Sequence, residues 1–321
     1  MLAGAITEFS SGISTPTAFS NELIAIAAGP DGNLWFTENC GDRIGRITPS
    51  GAVTEFASGI TGGRACVGSI AAGPDGNLWF TEGNASRIGR VTPAGVITEF
   101  ASGITPASGP NGIAKGPDGN MWFTESGGGD KVSRIGRITP AGMVTEFATM
   151  TLGAFATGIT AGPDGNMWFA ESGQFPDPFT VRPFPGVGRI GRITPAGVIT
   201  EFAAGISLNA RPVGIAAGPD GNLWFTEESA DRIGRITRAG TVTEFGSATG
   251  RSPEQITSGP DGNLWFTESG GNRIGRITPA GTVTEFASGI SAGAAPYGIA
   301  TGPDGNIWFT ESSTNRIGRL Q

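Results

Sequence analysis

The chain of 321 residues contains no histidine. That absence excludes Ser/His/Asp and Cys/His catalytic arrangements, and it removes the side chain ordinarily used as a general base near neutral pH. Tyrosine is limited to Tyr297, cysteine to Cys40 and Cys66, and lysine to Lys115 and Lys131. No apolar run reaches the roughly 18 residues of a spanning helix, so no membrane span is expected. The opening MLAGAITEF has neither a basic start nor a long apolar stretch, and does not read as a secretory leader. Phosphate-cradling glycine loops need a helix behind them, and no helical periodicity is offered.

Glycine is abundant instead, with 55 residues alongside 22 prolines, while 38% of the chain is apolar. That apolar share separates the chain from disordered Gly/Pro-rich sequences, which bury too little surface to offset ordering entropy. Many turns and short strands are the remaining possibility.

The motif GPDGN occurs seven times, starting at Gly29, Gly73, Gly116, Gly162, Gly218, Gly259 and Gly302. Each copy runs into W-F-[TA]-E, then R-I-G-R, then a tight turn, then T-E-F. All seven tryptophans occupy the one slot of this unit. Within a unit, PDG is a turn in which proline presets φ and glycine accepts a positive one. The adjacent Trp and Phe of the next segment suit a strand covered on both faces. Four strands per unit of roughly 40–50 residues is the signature of a propeller blade. The spacing therefore predicts an all-β, seven-bladed β-propeller of four-stranded antiparallel blades spanning residues 1–321. The last unit ends at RIGRLQ without its T-E-F strand, and residues 5–9 contain that strand, so the N-terminus is expected to complete the last blade.

Repeat positions hold 21 acids and 14 arginines, which accounts for the formal net charge of −7. The remaining seven acids and seven bases cancel, so acidity marks the scaffold and not a partner, and no basic stripe suggests nucleic acid. The repeated Glu and first Arg, as in Glu38 and Arg43, flank a short hairpin and are expected to pair across it. The seven PDG aspartates read as turn formers and not as metal ligands.

Variation is confined to the B–C and D–A loops, which share one face of a propeller. The longest is the insertion 172–188 of the fourth blade, whose Phe175, Phe179 and Phe184 either arch over the axis or form a surface flap. Counting back five residues from each GPDG glycine gives Ile24, Gly68, Asn111, Thr157, Val213, Glu254 and Tyr297, a position that changes in every blade. With Arg64, Arg211 and Arg251 on the same loops, this forms a mixed ring at the axial mouth. It is either a binding pocket for a small molecule, peptide or glycan, or a water-filled channel. The candidate ligand-binding residues are Arg64, Asn111, Thr157, Arg211, Val213, Arg251, Glu254 and Tyr297. Cys40 and Cys66 fall on the variable face of neighbouring blades, where a disulfide is feasible and would indicate an extracytoplasmic, oxidising setting; two free thiols are the alternative. A monomer is expected.

The units G-P-D-G-N-[LMI]-W-F-[TA]-E and R-I-G-R-[IVL]-[TQ] closely resemble those of the virginiamycin B (streptogramin) lyase family over residues 5–321. That resemblance implies a carbon–oxygen lyase that opens the streptogramin B ring by elimination. It uses Mg²⁺, a histidine base, a second histidine, a tyrosine and glutamates around the axial mouth. In one register the family's two histidines and tyrosine fall on Val213, Glu254 and Tyr297. In the other they fall on Glu254, Tyr297 and Ile24. In the first register the metal-ligand glutamates become Ser252 and Ser269, and Glu228 is the acid at the latter position in blade five. The expectation is a non-catalytic binding or scaffold propeller with no cofactor. The alternative is a Mg²⁺-dependent lyase with an altered site at Glu254 and Tyr297. Recent amplification or design of near-identical repeats, with no ligand at all, is a third reading.

Overall fold

The computed structural model describes residues 4–14, 22–61, 63, 65–127, 132–149, 151, 153–173, 188–246 and 251–321. Arg64 and residues 174–187 of the long insertion, including its three phenylalanines, lie outside the described residues.

Each repeat folds into a sheet because its turns are dictated locally. In blade one, strand A is Leu23–Ala28, strand B Leu34–Glu38, strand C Arg43–Ile47 and strand D Val53–Phe56. The A–B turn is closed by Asp31, whose Oδ1 accepts the Asn33 backbone N–H at 3.2 Å and the Trp35 indole N–H at 3.1 Å. The indole bond recurs at all seven tryptophans. Burial works to raise the Asp31 pKa, but the bonds from Asn33 and Trp35 outweigh it and hold the carboxyl below its usual range.

The described residues form seven four-stranded antiparallel sheets. Strand A of blade one lies against strand A of blades two and seven, and the same contact repeats around the ring. Ile6–Phe9 pairs antiparallel with Arg316–Leu320, Ile6 opposite Leu320 and Phe9 opposite Ile317, so the N-terminal strand completes blade seven as expected.

The core lies between blades. Trp35 faces Val67, Leu78 and Phe80 of blade two, whereas Phe36 faces Trp308 and Ile317 of blade seven. Both are fully buried. Phe36 requires Gly45 opposite it, because a Cβ there would lie 2.0 Å from the ring. Trp35 stacks on Phe56 with centroids 5.4 Å apart. Arg46 covers both rings at 5.7 and 5.6 Å and donates to the Pro93 carbonyl of blade two at 3.1 Å. Among the described residues this Trp–Phe–Arg unit ties six of the seven blades to the turn of the next. It gives the second arginine of R-I-G-R a packing role as well as a charge.

The expected pairing of the repeated Glu with the first Arg needs correction. It holds in blade one, where Arg43 Nε is 3.1 Å from Glu38, but Arg43 also reaches Glu55 on strand D at 3.7 Å. In blades two to seven the arginine reaches the strand D glutamate, as in Arg87–Glu99 at 3.0 Å and Arg273–Glu285 at 2.8 Å. The cause is depth. The strand B glutamate is fully buried, and the half-exposed arginine swings to the carboxylate nearer solvent. The buried acid then favours its neutral form. Burial, followed by the neighbouring Glu55, pushes Glu38 up to about 7, and burial with Glu99 pushes Glu82 to about 8.

Candidate functional site at the axial mouth

The seven variable positions owe their placement to a repeated irregularity. In blade one Leu23 pairs with Glu38 and Ile26 with Phe36, so Ile24 and Ala25 together oppose Thr37. The same register shift occurs in all seven A–B pairs. A β-bulge of this kind redirects a side chain and frees backbone groups. Here the freed groups are recaptured by the threonine of W-F-T-E. Thr37 Oγ1 accepts the Ala25 N–H at 3.0 Å and donates to the Gly68 carbonyl of the next blade at 2.7 Å. Thr81, Thr124, Thr226, Thr267 and Thr310 repeat the donation to Asn111, Thr157, Glu254, Tyr297 and Ile24. The bulged residues are thereby fixed at the axis by one hydroxyl per blade.

Blade four breaks the pattern, since Ala170 replaces the threonine. The hydroxyl is supplied from the ring position itself, with Thr157 Oγ1 donating to the Val213 carbonyl at 3.0 Å. Thr157, a candidate ligand contact from the sequence, therefore has its hydroxyl committed to the interblade bond.

All seven ring positions line one cavity of about 790 Å³. The wall has two chemically distinct sectors. Across blades five to seven stand Arg211, Glu228, Glu254 and Tyr297. Arg211 Nη1 lies 2.6 Å from Glu228 Oε2. Glu254 is 9% exposed, and its Oε1 accepts the Ser269 hydroxyl at 2.9 Å. Burial raises the Glu254 carboxyl to about 7 despite the Ser269 bond, with Glu228 adding to the rise and Arg211 opposing it. Burial, then the charges of Glu254 and Glu228, raises the Tyr297 phenol above its ordinary range, so it stays a neutral donor. The facing sector, across blades one to three, is neutral and amide-rich, with Asn39, Asn84 and Asn111.

Cys66 lies on the cavity wall and is disulfide-bonded to Cys40 with Cα atoms 4.3 Å apart, joining the loops of blades one and two. Arg251, by contrast, is not among the residues lining the cavity, and its Nε sits 3.5 Å from Glu285 Oε1. The reason lies in the D–A loops. Elsewhere the loop carries a Ser or Thr that binds the strand D glutamate, as Ser14 does Glu55 and Ser291 does Glu8. Before blade six, the described part of the loop sets Arg251 against the strand D glutamate, Glu285.

Asn39, Asn84, Ser69 and Gln255 line the cavity without having been singled out by sequence. A signal for one of them existed. The residue after W-F-[TA]-E reads Asn39, Gly83, Ser126, Ser172, Glu228, Ser269 and Ser312, a second variable position.

Comparisons with known proteins agree with this geometry. The model of the virginiamycin B lyase family matches residues 17–174 and 185–321. A streptogramin B lyase structure superposes with a TM-score of 0.85 at 34% identity, covering 99% of this chain and 97% of that one. Virginiamycin B lyase from Staphylococcus aureus gives 0.84 at 35% identity, with 99% of both chains covered. The same values hold for a catalytically inactive histidine-to-alanine variant of that enzyme with quinupristin. No curated protein sequence matches the chain. With the repeat unit, the closed ring and nearly the whole length of those chains held in common, this chain belongs to the virginiamycin B lyase family.

Proposed function

We infer that the chain is a non-catalytic member of this family, a propeller that binds a small molecule, peptide or glycan at its axial mouth. The observation that carries the reading is the mouth without histidine. The ring positions where the family resemblance calls for its two histidines and tyrosine hold Val213, Glu254 and Tyr297 in one register and Glu254, Tyr297 and Ile24 in the other. Replacement of one histidine accompanies loss of activity in the S. aureus enzyme. A pocket of this size with a few convergent polar groups remains suited to holding a ligand.

Mg²⁺ does not fit the residues present. Among the described residues no group of three or more His, Cys, Asp or Glu side chains could hold a metal ion. Ser269 spends its hydroxyl on Glu254, and a neutral hydroxyl is a weak substitute for a carboxylate at a hard cation. The disulfide supports an extracytoplasmic setting, and the reading takes the ring as a monomer.

The test is incubation with quinupristin and Mg²⁺, with mass spectrometry for the linearised product, beside a Glu254→Gln variant. The expected result is no turnover by either protein. Turnover that disappears in the variant would establish a histidine-free lyase with Glu254 as base and overturn the reading. Binding is followed separately through Tyr297. As the chain's single tyrosine it would give one ¹⁹F resonance, located at the mouth, after 3-fluorotyrosine labelling.

A further inference from the structure

Resting on the reading that the mouth binds a ligand, we propose that this ligand carries a primary ammonium group, seated between the carboxylate of Glu254 and the ring of Tyr297. The charge pattern of the wall leads there. Arg211 is engaged by Glu228 at 2.6 Å, so that pair is internally compensated. Glu254 forms no ion pair among the described residues, although its side chain is nine-tenths buried and lines the cavity. One of its oxygens accepts from Ser269, and the other has no hydrogen-bond partner among the described residues. A buried carboxylate left in this state calls for a cation or a donor.

Tyr297 supplies the second half of the site. It occupies the ring position next to Glu254 on the following blade, lines the same cavity, and feels the Glu254 charge. An ammonium over an aromatic face beside a carboxylate satisfies both the ring quadrupole and the anion. The charged and titratable groups facing Glu254 and Tyr297 are Glu228, Arg211 and Glu22. Carboxylates thus outnumber the described cation, which disfavours an anionic ligand. The amides of Asn39 and Asn111 across the mouth leave donors and acceptors for the neutral remainder of the ligand.

Proton linkage gives the site a signature. Glu254 titrates at about 7, and an ammonium binds its ionised form. The ionised fraction rises about tenfold between pH 6 and pH 8, so the affinity should rise by about the same factor. A purely apolar contact at the mouth would show no such dependence.

The experiment compares benzylamine, benzyl alcohol and benzoate by the ¹⁹F resonance of 3-fluorotyrosine-labelled protein, with affinities from ligand-observed NMR. Benzylamine is expected to move the resonance and to bind about tenfold tighter at pH 8 than at pH 6. In Glu254→Gln this dependence should vanish and the benzylamine affinity should fall, with thermal unfolding confirming that the variant is folded. Tyr297→Phe, which keeps the ring, should bind benzylamine nearly as the parent does. Binding of benzyl alcohol or benzoate in preference to benzylamine, or pH-independent benzylamine binding, overturns the ammonium assignment while the mouth remains a binding site. A resonance unmoved by these probes and by a panel of neutral sugars and short peptides overturns the binding reading as well.

Discussion

Glu227 offers a direct measure of what the buried glutamates do. It is fully buried on strand B of blade five, and neither carboxyl oxygen has a hydrogen-bond partner. Burial first, and then Glu244, raises it to about 8 against the opposing charge of Arg232. A carboxyl whose folded pKa is raised stabilises the fold fully below its unfolded value of 4.5, and that contribution is lost as pH rises through the folded value. With one unit worth about 1.36 kcal/mol, the loss between pH 5 and pH 8 amounts to about 3–4 kcal/mol for this group. Glu227→Gln removes the ionisation but keeps the shape. Urea unfolding followed by tryptophan fluorescence should show the variant gaining on the parent by about that amount as pH rises from 5 to 8. A difference between the two proteins that stays constant across the range would refute the assignment of a neutral buried carboxyl. The PDG aspartates act with the opposite sign, since they lie below their usual range and their contribution is lost only as pH falls.

Trp79→Ala should destabilise the ring by about 3–5 kcal/mol, measured by the same unfolding assay, because a fully buried indole between two blades leaves a cavity. Cys66→Ser should cost about 3.5 kcal/mol by loop-closure entropy for a sequence separation of 26, and should abolish any effect of reductant on the unfolding midpoint. Thr157→Val should cost about 1–2 kcal/mol by leaving the Val213 carbonyl without its donor. Adding Ala170→Thr should restore most of that, and a double-mutant cycle with no coupling between the two sites would count against the substitution of one hydroxyl for another.

The blades were legible because each turn and each core residue recurs seven times, so a single unit could be read against six copies. Ring closure was legible for the same reason, since the T-E-F strand missing after Arg319 stands at Thr7. The axial positions could be located by counting, because the bulge that presents them has one length in every blade. What the sequence did not convey is where hydroxyls and charges go once the bulge forms. Thr157 and Arg251 read as site residues by their variability, yet one donates to the interblade carbonyl that Ala170 cannot serve and the other lies against Glu285. Side-chain depth was equally invisible. Glu38 and Glu55 differ little in sequence context, but one is fully buried and raised while the other lies nearer the surface and is lowered, where bonds from Ser14 outweigh burial.

Completion of the last blade by Ile6–Phe9 sets an order of events during synthesis. The earliest strand of the ring pairs with its latest, with Ile6 opposite Leu320. At a translation rate of about 5–20 residues per second, the early strand waits on the order of 15–60 s for its partner. Six blades can form from neighbouring segments as they emerge, but the ring itself shuts only once its latest strand has emerged. Until then Arg316–Leu320 presents an unpaired edge that another nascent chain could occupy. The hydrogen bonds from Ser291 and Arg316 to Glu8 then hold the closing strand in place.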